Sequence, residues 1–125
     1  MLGLGNDIVE VKRIETILNK SHGNTFKQKV FTIKEQEYCD KMANSAPHYA
    51  ARWALKEAFY KSLPAELQKI SGWLSIELSR VDGEKPVIVV ISKELENELK
   101  NFGVKSIFHS ISHEKKYCTA VVALN

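Results

Sequence analysis

Apolar positions change period several times along the chain, and each change predicts an element. Leu2 to Val9 reads as a short strand, loosened by Gly3 and Gly5, which permit close backbone approach. Glu10 to Lys20 places Val11, Ile14 and Leu18 at helical spacing, with Lys12, Arg13 and Glu15 on the polar side. After a polar break at Ser21 to Asn24, Phe26, Val30 and Phe31 predict a short helical segment bearing Lys27 and Lys29. Thr32-Ile33-Lys34-Glu35 matches a capping box and opens a helix through about Met42, with Ile33, Tyr38 and Met42 as its apolar contacts and Cys39 as core filler. Asn44-Ser45-Ala46-Pro47 signals the start of a long central helix that ends near Leu63, where Pro64 stops it. Ala65 to Ile70 adds a helical turn, and Ser71-Gly72 marks a loop.

Trp73 to Val81 alternates with period two, Leu74, Ile76 and Leu78 to one face and Ser75, Glu77 and Ser79 to the other. The turn signal Asp82-Gly83 and the β-branched run Pro86 to Ile91 complete a hairpin. Ser92 caps a helix carrying Leu95, Leu99 and Phe102, ended by Gly103. Ser106–Ser112 and Tyr117–Leu124 are strands joined by the turn His113 to Lys116, the second largely buried through Val121, Val122 and Leu124. The expected fold class is α+β: a single domain over residues 1–125, with antiparallel hairpins and a long central helix. Strand and helix do not alternate regularly enough for a doubly wound sheet.

Composition narrows this little. The 125 residues fit one modest core, and a formal net charge of +3 suits an acidic or phosphate-rich partner without pointing to nucleic acid. Cys39 and Cys118 are far apart and expected to be free thiols in a reducing compartment. No signal peptide and no membrane-length apolar run is recognised, so a cytoplasmic protein is expected.

The central helix carries the candidate chemistry. Trp53, Glu57 and Lys61 follow one another at i, i+4 spacing and form a ridge; Arg52, Lys56 and Tyr60 form the adjacent one. Glu57 before Lys61 is also an ordinary exposed helix pair, and Asp7 also suits a helix N-cap. His109 and His113 lie on a predicted strand, where four residues span roughly 13 Å, too far for one zinc ion. No P-loop, nucleophile elbow or dinucleotide fingerprint is present. What remains is a pair of carboxylates, Asp7 and Glu57, sharing a hard cation such as Mg²⁺, with Lys61 and Arg52 as cations for a phosphoryl-type transfer.

Gly3-Leu4-Gly5-Asn6-Asp7-Ile8-Val9-Glu10 with Arg13-Ile14 resembles the N-terminal signature of the holo-[acyl-carrier-protein] synthases. Phe31-Thr32 with Glu35, then Arg52-Trp53-Ala54-Leu55-Lys56-Glu57-Ala58 with Lys61, resembles their defining signature. Lys85-Pro86 and Ser110-Ile111-Ser112-His113 follow in matching order, so the resemblance runs over essentially the whole chain. It implies Mg²⁺-dependent transfer of 4′-phosphopantetheine from coenzyme A to a serine of apo-acyl carrier protein, releasing adenosine 3′,5′-bisphosphate and supporting fatty acid biosynthesis. By position, Asp7 and Glu57 match the family's metal ligands, and Asp7, Glu57 and Lys61 its catalytic set. Lys61 matches the lysine held at the pyrophosphate. Glu57 is placed to take the serine proton, directly or through water, with the identity of the base left open. Arg52, Lys85, Pro86 and His113 match positions at the nucleotide end, and Arg13 a basic residue facing the acidic carrier protein. A homotrimer with sites between subunits is implied, and neither nucleic acid nor membrane as a partner.

Two departures stand out. Ser62-Leu63-Pro64-Ala65-Glu66-Leu67 replaces a Gly-Thr-Gly-like loop, and Gly83-Glu84-Lys85-Pro86 is one residue longer than the usual Gly-Lys-Pro turn. Two rival readings follow from the same residues. A nucleic-acid-binding module using Lys12, Arg13, Lys27 and Lys29 predicts steeply salt-dependent binding. A non-catalytic coenzyme A-binding subunit predicts binding without transfer.

Overall fold

The computed structural model describes residues 1–80 and 84–125. The turn expected at Asp82-Gly83 lies outside the described residues. Along the chain the elements are β1 (Gly3–Glu10), α1 (Val11–Asn19), α2 (Gly23–Val30), α3 (Ile33–Asp40), α4 (Ala46–Ser62), α5 (Ala65–Gln68), β2 (Ile76–Ser79), β3 (Val87–Val90), α6 (Lys93–Phe102), β4 (Ile107–His113) and β5 (Tyr117–Leu124). Strands β1, β5 and β4 form one antiparallel sheet in the order β1-β5-β4, and β2 and β3 form a separate hairpin. The architecture is α+β, as the alternation of periods predicts.

Helix α4 is the spine. It packs along β1 and β5 and is also met by α1, α3 and β4. Ala50, Ala54 and Ala58 are fully buried and let the sheet approach the helix closely, while Tyr49, Leu55 and Phe59 fill the core beside them. The approach is tightest at β1. A Cβ on Gly3 would lie 2.0 Å from the Ser62 carbonyl oxygen, and one on Gly5 2.0 Å from that of Ala58. Only glycine lets this strand rest on the last turns of α4.

Local signals hold at several ends. Glu35 N donates to Thr32 Oγ1 and Thr32 N donates to Glu35 Oε1, completing the predicted capping box of α3. Leu95 N donates to Ser92 Oγ at the start of α6, and Gly103 closes that helix at φ 98°, in the left-handed region. Ser45 precedes α4 without a side-chain capping bond, so Pro47 in the first turn is the start signal that operates there.

Four expectations are corrected. Trp73–Ser75 is a 3₁₀ turn rather than strand, which leaves Leu74 exposed and shortens β2 to four residues. Glu77 is buried instead of facing water, because Thr32 Oγ1 donates to its Oε1 at 2.6 Å. Ile33 and Phe102 are exposed, since α3 and α6 turn other residues to the core. β5 alternates strictly, so Val121 points out from the sheet while Val122 and Leu124 point in.

Candidate functional site

Asp7 lies within β1, opposite Ala120 of β5, and not at the cap of α1, which Glu10 occupies. The strand alternation turns Asp7 to the same side as Gly3, Gly5 and Val9, toward α4, while Leu4, Asn6 and Ile8 face away. The glycine-mediated approach therefore carries the Asp7 carboxylate to the C-terminal half of α4. Lys61 Nζ meets it there, at 3.0 Å from Asp7 Oδ1 and 3.3 Å from the Asn6 carbonyl oxygen. The Lys61 partner is thus a strand carboxylate and not Glu57, one turn back on its own helix.

Glu57 shares this neighbourhood electrostatically. Burial raises its pKa above the ordinary glutamate value, and the Asp7 charge raises it further; Lys61 and Arg13 oppose the shift. A carboxylate whose ionisation burial and the Asp7 charge oppose, with two cations in range, marks this as a charged centre. Beside it lies a cavity of about 250 Å³ between α4 and the loop after α5, lined by Lys56, Glu57, Phe59, Tyr60, Gly72 and Trp73.

A second cavity, of about 270 Å³, opens off another side of α4 and includes Arg52, His113, Pro86, Arg80, His48 and Tyr38 in its lining. Arg52 and Glu57 are five residues apart, which turns their side chains roughly 140° from one another around the helix. Arg52 is buried, donates from Nη1 to the His48 carbonyl at 3.2 Å, and sits with Cζ 4.4 Å from the Tyr38 ring centroid. Its Nε has no hydrogen-bond partner among the described residues, and no carboxylate there pairs with it. Burial lowers the His48 pKa, and the charges of Arg52, His113 and Arg80 lower it further. The lining of this pocket gathers two arginines and two histidines and, among the described residues, no carboxylate. Lys85, in contrast, is exposed and does not line it.

Comparison with known proteins shows the family. The family model described as the 4′-phosphopantetheinyl transferase superfamily matches residues 3–122. The chain belongs to the 4′-phosphopantetheinyl transferase superfamily. Among similar members is the Leptospira biflexa holo-[acyl-carrier-protein] synthase, 41% identical over 122 residues, 98% of this chain and 94% of that protein. The Chlamydia caviae protein of the same name is 36% identical over 118 residues, 94% of this chain and 92% of that one. Among solved structures, the Neisseria meningitidis holo-[acyl-carrier-protein] synthase superposes with a TM-score of 0.83 at 25% identity, covering 100% of this chain and 98% of that one. The Helicobacter pylori enzyme in complex with coenzyme A superposes with a TM-score of 0.75 at 28% identity, covering 98% and 99%.

In this phosphopantetheinyl transferase chain the residues expected together fall into two groups. Asp7, Glu57 and Lys61 share one centre; Arg52, Pro86 and His113 share the other. Arg13 on α1 belongs nearer the first, with Cζ 6.0 Å from the Trp53 ring centroid, and Trp53 stacks on Trp73 at 4.5 Å. His109 and His113 both lie on β4, as strand residues four apart.

Sequence reasoning missed one cluster. Lys56, Glu35, Glu77 and Thr32 form a buried polar network joining α4, α3 and β2. The available signal was the capping box itself. A glutamate already committed to a cap, three residues after Thr32, has a second oxygen free to accept, here from Leu78 N at 3.0 Å.

Proposed function

We propose that this chain is a holo-[acyl-carrier-protein] synthase that moves 4′-phosphopantetheine from coenzyme A to a serine of apo-acyl carrier protein. The observation that carries the reading is the gathering of Asp7, Glu57 and Lys61 in one charged centre beside a cavity that Glu57 lines. It occurs in a chain that aligns over nearly its full length with synthases of that name.

In the transfer, the serine Oγ attacks the phosphorus that bears the pantetheine. The new O–P bond forms as the bond to the leaving phosphate breaks, and adenosine 3′,5′-bisphosphate departs with the electron pair. Glu57 accepts the serine proton, a task helped by the burial that raises its basicity. Lys61 stabilises the charge that develops on the leaving phosphate. The donor set fits Mg²⁺: two neighbouring carboxylates, Glu57 lining a cavity with room for water and phosphate oxygens, and no nitrogen or sulfur ligand among them. When bound by Asp7 and Glu57, Mg²⁺ supplies charge neutralisation at the pyrophosphate.

The second cavity is the half-site for the nucleotide end, where buried Arg52 and the exposed His113 meet the phosphate on the ribose. Because the two half-sites open off different sides of one helix, a single chain does not wrap one donor molecule. A homotrimer answers this by setting one copy's first half-site against another's second. The outward face of the β1-β5-β4 sheet suits the contact: Leu4, Ile8, Val121 and Phe108 are all exposed on it. Arg13, beside Trp53, is the basic contact for the acidic carrier protein. Buried free thiols at Cys39 and Cys118 agree with work in the cytoplasm, in fatty acid biosynthesis. No described helix is long and apolar enough to cross a membrane.

The test mixes the protein with apo-acyl carrier protein, coenzyme A and magnesium, and reads the carrier by mass spectrometry. A phosphopantetheine adduct is expected, abolished by Asp7→Asn or Glu57→Gln in folded protein. Tight coenzyme A binding without an adduct overturns the reading in favour of a non-catalytic subunit. Light scattering reports the trimer, which Ile8→Asp is expected to dissociate.

A further inference from the structure

Lys56 sits next to Glu57 in the chain, yet it faces away from water. Its ammonium donates to three acceptors: Glu35 Oε1 at 2.9 Å, the Trp73 carbonyl at 2.8 Å and the Ile76 carbonyl at 2.9 Å. All three N–H bonds are thereby used. Both Glu35 oxygens are engaged in turn, accepting from Thr32 N and Leu78 N besides Lys56. The two carbonyls belong to the turn Trp73–Ser75 and the residue after it, and this segment is the wall of the cavity opposite Glu57 and Tyr60. Trp73 on that wall also stacks on Trp53, which projects from α4 one turn before Glu57.

We infer that Lys56 is a positioning residue for the transfer: it fixes the Trp73–Ile76 wall at a set distance from Glu57 and so holds the phosphopantetheine arm in line for attack. This rests on the function proposed above. Lys56 touches none of the reacting atoms; it acts through the backbone it grips. A cation held by two main-chain carbonyls and one carboxylate has no donor left for a ligand, which distinguishes it from Lys61.

The test exploits the fact that Trp53 and Trp73 are the chain's two tryptophans, so their exciton couplet in circular dichroism reads this wall alone. Lys56→Met combined with Glu35→Gln removes both charges at once and strands neither. The double variant is expected to keep its far-ultraviolet helical signal and lose the couplet. Its kcat for transfer is expected to fall on the order of 10²-fold, the usual cost of misplacing a bound reactant by an ångström. Inhibition by adenosine 3′,5′-bisphosphate, which has no pantetheine arm, is expected to stay within about twofold. An intact couplet, an unchanged kcat, or a parallel loss of inhibition and turnover overturns the inference. Should the double variant not fold, Lys56→Arg keeps the charge, displaces its donors and carries the same expected readouts. A wild-type protein that transfers nothing defeats the proposed function instead; the couplet alone then decides whether Lys56 sets the wall.

Discussion

Helix α4 carries two lysine–carboxylate pairs five residues apart, and they differ in almost every physical respect. Lys56 and Glu35 have side chains 2% and 0% exposed, 2.9 Å apart, with their remaining donors and acceptors taken up by backbone. Lys61 is 51% exposed and meets Asp7 at 3.0 Å, with one further contact to the Asn6 carbonyl. The first pair cannot loosen without leaving a charge in a low-dielectric interior. The second trades one set of partners for another at little cost, because water covers the difference. A cleft that admits a highly charged donor needs both kinds: a pair that never opens to set the shape, and a pair that yields its carboxylate when a cation and phosphates arrive.

The comparison breaks most severely at Lys56. Lys56→Met alone strands the Glu35 carboxylate and is expected to cost about 3–5 kcal/mol of unfolding free energy. Burial pulls the Lys56 pKa down, while the Glu35 charge and hydrogen bond hold it up. Chemical denaturation measures the loss. A cost no larger than that of a surface substitution means that the network is not the structural element its geometry describes.

Lys61→Ala is the counterpart. Stability is expected to change by about 1 kcal/mol, since Lys61 is half in water while the Asp7 side chain it leaves is 13% exposed. Turnover is expected to fall on the order of 10²-fold if, as proposed, the ammonium meets the charge that develops on the leaving phosphate. Stopped-flow transfer assays and denaturation on the same sample separate the two effects. A loss confined to the Michaelis constant places Lys61 in ground-state binding instead.

The asymmetry between the pairs also explains what was legible in the residues. Periodicity marked each helix, the hairpin and the terminal strands, because burial on one face leaves a repeat that survives translation into sequence. Pro64 and Gly103 marked ends because each limits backbone dihedrals locally. The buried pair was invisible for the opposite reason. Glu35 and Lys56 are 21 positions apart, and at each one the local pattern offers an ordinary helical charge. Only the fold brings α3 against α4. Glu77 misled the alternation argument in the same way, since a buried carboxylate on a strand looks like a solvent-facing one until its donor, Thr32, is known. The Asp7–Lys61 contact was equally non-local, and Gly3 and Gly5 explain how it is made rather than announce it.

Arg52 sharpens the comparison as a third case, a buried cation on the same helix with no carboxylate beside it among the described residues. Such a charge is costly unless a ligand completes it. Arg52→Gln is expected to raise the Michaelis constant for coenzyme A about tenfold with kcat little changed. It is also expected to erase the advantage of coenzyme A over 3′-dephospho-coenzyme A, the donor that lacks the ribose phosphate. Steady-state kinetics with both donors checks it; an unchanged ratio removes Arg52 from the phosphate.

The smallest effect concerns Glu57 and is a matter of stability. Its folded-state pKa is raised, first by burial and then by Asp7, so the native state holds this proton more tightly than the unfolded chain does. The stability from that proton is complete below the ordinary glutamate pKa and is lost as pH rises through the higher folded value. At neutral pH without magnesium, the Glu57 carboxylate therefore destabilises the fold, by an amount that solvent screening keeps small. Glu57→Gln, which mimics the protonated form, is expected to melt about 1–2 °C above the wild type at neutral pH, with the gap closing as pH falls below 4. Magnesium is expected to raise the wild-type melting temperature and leave the variant unmoved, because binding to the native state alone stabilises it. A variant that melts below the wild type at neutral pH, or responds equally to magnesium, means that Glu57 is an ordinary surface acid and its place opposite Asp7 carries no strain for a cation to relieve.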